Sequence, residues 1–214
     1  NLNSAETNDT LQAEAQRISP LLTDYGNDIR LNEALFKRVK TVYDQCENLS
    51  LTAEQQTLLE KTYKSFTRNG ANLSPNDKGR LREIDKQLAT LKLKFSENAL
   101  AETQHYQWVI TDKEQLSGLP DFVLEMLAQE AKKRNVQGWV ITLDLPVYTA
   151  VMKYADNRDL RQKLFTDYHS RCAGESAYNN EDNVLRIAQL RQARASLLGY
   201  PNYATFALEE RMAE

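Results

Sequence analysis

The sequence predicts a mainly α protein, a multi-helix array of long antiparallel helices with one or two short β-strands. Seven glycines and five prolines in 214 residues amount to about half the usual share of turn-formers. Leu, Ala, Glu, Lys, Gln and Arg, which lose little rotamer freedom in a helix, are abundant. Apolar residues recur at three- and four-residue steps through most of the chain.

The first helix is expected from Ala5 to about Tyr25, with Leu11, Ala15, Ile18, Leu21 and Leu22 at helical spacing and a bend or restart at Pro20. Asn27, Asp28 and Asn32 offer caps for a second helix, whose face of Leu35, Phe36, Val39, Val42 and Tyr43 is a core stripe ending near Asn48. Thr52 to Gln55 form a capping-box pattern that opens a third helix. Its Leu58, Leu59, Tyr63 and Phe66 are expected to face inward, and Gly70 to close it in a left-handed cap.

Ser74 followed by Pro75 starts the longest helix, because serine caps a free donor and proline at the first helical position loses no bond. Leu81, Ile84, Leu88, Leu91 and Phe95 keep one seam toward an antiparallel partner. Lys78, Arg82, Glu83, Lys86, Lys92 and Lys94 are expected on a solvated face. The pattern stops near Thr103, and two β-branched and aromatic runs, HYQWVIT and GWVITLD, suit strands flanking a helix from Asp121 to about Arg134. Parallel and antiparallel pairing of these strands are both open.

From Pro146 onward three helices return. Val147, Val151 and Met152 mark the first, Leu160, Leu164, Phe165 and Tyr168 the second, and Val184, Ile187, Leu190 and Leu197 the third, which ends at Gly199. A last helix after Pro201 and Asn202 is expected to be still running at Glu214, as in a truncated chain. Residues 1–214 read as a single helical region of a longer chain, with a possible subdivision into 1–103 and 104–214.

Net charge of −3 and a pI near 5.6 supply no basic field for nucleic acid. No apolar run reaches bilayer length. The N-terminal NLNSAETNDTLQ carries neither the basic and apolar parts of a signal peptide nor an initiating methionine. The true N-terminus is therefore expected to lie outside the sequence, which leaves cytoplasm and periplasm both open.

Chemistry has few footholds. A zincin helix needs two histidines at i and i+4 with a glutamate between, and neither His105 nor His169 has that neighbourhood. His169 and Cys172 are the closest pairing of soft ligand types, without knuckle spacing, and Cys46 and Cys172 read as packed thiols. Glu209 with Glu210, and Glu181 with Asp182, read as exposed acids rather than an acid/base pair. The glycines are scattered and form no phosphate loop. Arg158, Arg161, Arg171, Arg186, Arg191 and Arg194 concentrate in the last third, where structural ion pairs are the first expectation and capture of a peptide carboxylate the second.

Four stretches carry a resemblance. LRQARASLLGYPNYATFALEERMA (190–213) resembles a segment of the zinc peptidase family of thimet oligopeptidase, neurolysin, oligopeptidase A and bacterial peptidyl-dipeptidase, where it precedes the His-Glu-x-x-His helix. Residues 63–100, with Arg68, Asn69, Gly70 and Ala71 before a long helix, are similar to peptidyl-dipeptidase in particular. WVITDKEQLSGLPDFVLEMLA and YADNRDLRQKLFTDYHSRC follow the family's order between them.

The resemblance implies the non-catalytic half of a clamshell-like, neurolysin-type peptidase, walling a channel for short peptides. Zinc would belong to the parent enzyme and not to this segment, and no catalytic, cofactor-binding or metal residue of the family maps here. The implied partners are the missing C-terminal catalytic half of the same chain and short peptides; nucleic acid and membrane are not implied. Apolar patches on the face meeting the missing half would drive self-association. A stand-alone helical interaction module without enzymatic activity is the alternative.

Overall fold

The structure is a computed structural model and describes residues 7–212. Its elements are α1 (Asp9–Arg30), α2 (Glu33–Asp44), α3 (Ala53–Arg68), α4 (Pro75–His105), β1 (Trp108–Ile110), α5 (Asp121–Lys133), β2 (Trp139–Ile141), α6 (Leu145–Tyr154), α7 (Arg158–His169), α8 (Glu181–Leu197) and α9 (Tyr203–Leu208), with short 3-10 turns at Cys46–Asn48 and Lys113–Leu116. The chain is mainly α, as its composition predicts. It groups into two compact units, residues 1–94 with 183–214 and residues 95–182.

In the first unit, Asn8 caps α1 by accepting from the Leu11 N–H at 2.9 Å, while the expected start at Ala5 falls outside the described residues. The helix runs through Pro20 without a restart and ends at Arg30, beyond Tyr25. One missing N–H does not divide a helix of 22 residues. Asn27 and Asp28 consequently lie inside α1, and Asn32 alone caps α2. The capping box of α3 forms on both sides, Gln55 N–H to the Thr52 hydroxyl and Thr52 N–H to the Gln55 side chain. Gly70, at φ +90°, ends that helix where a Cβ would stand 2.7 Å from Leu81.

Ser74 caps α4 through the Asp77 N–H. The seam on α4 holds at Leu81 and Leu88, with Leu88 packed on Ile187 and Leu190 of α8 beside Ile84 and Leu91. Phe95 leaves it and is exposed. The solvated face expected for Lys78, Arg82 and Lys86 is a ladder of ion pairs instead. Lys78 meets Glu33 at 2.9 Å, Arg82 meets Asp28 at 2.8 Å and Lys86 meets Asp24 at 2.9 Å. The steps of four on α4 run against descending positions on α2 and α1, an antiparallel register that buries Lys78.

Several residues expected in the core are outside it. Leu58 on α3, Leu35 and Val42 on α2, and Leu21 and Leu22 on α1 are exposed, as is Val184 on α8. Phe36, Tyr43 and Tyr63 stack into one another, so the α2 and α3 faces that meet are aromatic. Val39, Val42, Leu51, Leu58 and Leu59 lie to the side as an open apolar depression of about 390 Å³.

The last helix does not run on to Glu214. α9 ends at Leu208, where Arg68 of α3 donates to the Phe206 carbonyl at 2.7 Å and pairs with Glu209. An arginine on a terminal carbonyl satisfies an acceptor that a further turn would have used. Residues 213 and 214 lie outside the described residues.

In the second unit, β1 and β2 pair antiparallel, Trp108 opposite Ile141 and Ile110 opposite Trp139, with α5 between them in sequence. Gly138, at φ +98°, leads into β2 where a Cβ would lie 2.2 Å from the Ile110 carbonyl. No other residue fits that approach. The core gathers Val123 and Leu127 of α5, Ile141 and Leu143, Val147 and Val151 of α6, and Leu160 and Leu164 of α7. Met152 is only partly buried and Phe165 is exposed, each standing off the buried stripe of its helix. No helix among the described residues is long and apolar enough to cross a membrane.

Candidate functional site

Each histidine sits at the C-terminal turn of a helix and spends a ring nitrogen on it. His105 Nδ1 donates to the Ala101 carbonyl and His169 Nδ1 to the Phe165 carbonyl, both at 2.8 Å. His169 packs against Phe165, Tyr148 and Tyr168, and His105 against Tyr178, surroundings that are aromatic rather than ligating. Among the described residues no three His, Cys, Asp or Glu side chains converge as a metal site.

Cys172 is buried, with φ at +59°. Burial first, then the Glu102 charge, pushes its thiol above the ordinary range, against a smaller opposing effect of Arg171. A thiol held protonated is a poor nucleophile. Cys46 is free and half-buried. Tyr106 donates to Asp167, and burial followed by that carboxylate raises its phenol well above its usual value.

Three of the four acids in these pairs make structural contacts. Glu181 opens α8, accepting from the Gly174 N–H at 3.3 Å and presenting its own N–H to Asn179 Oδ1 at 2.7 Å. Glu209 and Glu210 meet Lys64 at 3.5 and 2.8 Å, and Lys64 holds the Glu210 carboxyl below its ordinary range.

Most of the arginines also have structural employment. Arg161 donates to the Ala155 and Asp156 carbonyls, Arg171 to Thr103 Oγ1 at 3.0 Å while stacking on Tyr168, and Arg186 to Gln87 at 2.9 Å. Arg194 pairs with Asp85, and Arg158 is exposed. Arg191 differs. Its guanidinium lies 5.1 Å from the Tyr203 ring centroid, and its buried Nε has no hydrogen-bond partner among the described residues. It lines a recess of about 880 Å³ in the first unit, bounded by α1, α4, α8 and α9. Asn27 of α1 enters that recess although the sequence marked it only as a possible cap, since nothing in helical periodicity distinguishes a polar residue turned inward.

The helical array with one small antiparallel ribbon is the kind of scaffold the sequence resemblance leads one to expect, and comparison with known proteins gives it a class. Residues 151–214, which contain α7, α8 and α9, match the pattern of Peptidase family M3. The whole chain aligns with oligopeptidase A of Escherichia coli at 29% identity over 217 residues, covering 32% of that protein. It aligns equally throughout with dipeptidyl carboxypeptidase of Salmonella typhimurium, 31% identical over 214 residues and 32% of its length. A probable cytosolic oligopeptidase A of Arabidopsis thaliana is 31% identical over 210 residues, 95% of this chain and 30% of the relative. The similarity to M3 peptidases thus extends along the chain, which spans about a third of the length of the curated relatives it matches.

Proposed function

We propose that these residues are the N-terminal, non-catalytic helical portion of a zinc metallopeptidase that hydrolyses short peptides, and that they form part of the wall of its substrate channel. Alignment of the entire chain with about a third of proteins named oligopeptidase A and dipeptidyl carboxypeptidase is the observation that carries this reading. Peptidyl-dipeptidase is the parent activity we favour, from the resemblance of residues 63–100. Zinc is assigned to the rest of the parent, since the resemblance maps no zinc ligand of the family onto residues 1–214. The partners are then the remaining, catalytic part of the polypeptide and short peptides.

The test is metal analysis and a peptide-cleavage assay on the 214-residue chain beside the protein from the full reading frame. Turnover and stoichiometric zinc in the full protein only are expected. Metal-dependent turnover by the 214 residues alone would overturn the assignment, as would a full reading frame without a His-Glu-x-x-His helix.

A further inference from the structure

The recess between α1, α4, α8 and α9 contains two buried donors that find no acceptor among the described residues. Asn27 is 3% exposed, and neither its Nδ2 nor the buried Nε of Arg191 has a hydrogen-bond partner among the described residues. Buried donors are nearly always matched, so two on one concavity ask for an acceptor. The charge around them has the same sign. Arg30, Arg191 and Arg194 line the recess, where Asp85 is the one carboxylate among the described residues and is already held by Arg194 at 2.8 Å. Burial, then the charges of Arg191 and Arg194, lower the Lys92 ammonium against a smaller raising effect of Asp85.

The acceptor is therefore anionic, and the walls say what it is attached to. Ile18, Leu22, Leu88 and Leu93 supply aliphatic surface, and about 880 Å³ is far more room than a phosphate or chloride needs. We propose that this recess binds a carboxylate carried on an apolar body, the C-terminal end of a short peptide, with Arg191 as its anchor and Asn27 as a second donor. Arginine suits the task because its planar fork matches a carboxylate and stays charged at any working pH. The Arg191 guanidinium lies over the Tyr203 ring, 5.1 Å from its centroid, a contact through the aromatic face that helps hold it in place. The inference uses only residues of the first unit and stands whether or not the chain is part of a peptidase.

The experiment titrates the 214-residue chain by calorimetry with N-acetyl-Leu-Phe and, separately, with its C-terminal amide. The free acid is expected to bind saturably and roughly tenfold or more tighter than the amide, the scale of one charge-assisted hydrogen bond. Arg191→Gln should remove that preference, while Arg186→Gln, which touches Gln87 instead, should keep it. Absence of saturable binding, equal binding of acid and amide, or an unchanged titration by Arg191→Gln would each overturn the proposal. Should Arg191→Gln fail to fold, Asn27→Ala gives an independent reading: a weakened acid titration supports the site and an unchanged one overturns it.

Discussion

Arg194 on α8 and Asp85 on α4 form a 2.8 Å ion pair with only 14% and 16% of their side chains exposed, and Arg194 also donates to Asn69 Oδ1 at 3.2 Å. One guanidinium thus joins α8, α4 and the residue that ends α3. Buried charges of this kind are strongly interdependent, because removing one leaves the other desolvated and unpaired.

Arg194→Ala is accordingly expected to destabilise the first unit by about 3 kcal/mol, and Asp85→Ala by a similar amount. The double variant should lose far less than the sum, since neither charge is then stranded. Urea unfolding of the four proteins measures the cycle. Additive losses would mean that the pair is solvated and not coupled.

Glu130 on α5 and Arg134, which caps its C-terminus, supply a pH-dependent contribution. Arg134 donates to Glu130 at 2.8 Å and reaches the Tyr106 and Gln104 carbonyls at 3.3 and 3.2 Å, tying α5 to the chain entering β1. The Arg134 hydrogen bond, helped by Lys133 and opposed by burial, holds the Glu130 carboxyl below its ordinary range. A lowered carboxyl stabilises the fold above the ordinary glutamate range, and that stability is lost as pH falls through the lowered value. Glu130→Gln should therefore be less stable than the parent near neutrality, by no more than about 1 kcal/mol for so accessible a pair. The gap should close below the carboxylate range. Denaturation midpoints across that range check it, and a gap independent of pH would assign the loss to packing.

Local signals survived translation into structure where one residue's chemistry settles the matter. The Thr52–Gln55 capping box, Gly70 at φ +90° and Ser74 with Pro75 are all features that need no partner to be specified. What the sequence left open was decided by distant contacts. Pro20 suggested a break, yet α1 continues past it and its later turns are ion-paired with α4. The final helix looked unterminated until Arg68, far back in the chain, was seen to hold its end. Among the arginines, composition could not separate Arg194, which has a buried partner, from Arg191, whose Nε has none among the described residues. Periodicity reports which residues share a face, but not whether another surface covers it, and Leu58 is the clearest case.

Leu58 stands 68% exposed beside Val42, in the apolar depression that also contains Val39, Leu51 and Leu59. A leucine at a helical core position that remains open to water marks a surface suited to cover. The self-association expected from the sequence would then use this depression, each of two copies covering the other's. Leu58→Lys should shift the chain toward monomer, because each protomer would then bring an ammonium to an apolar contact and desolvate it on association. The stability of the monomer should change by less than about 0.5 kcal/mol, since an exposed position contributes little packing. Sedimentation velocity over a concentration series on parent and variant decides the point. A parent that stays monomeric throughout, or a variant that associates as the parent does, would remove the α2–α3 depression as the contact.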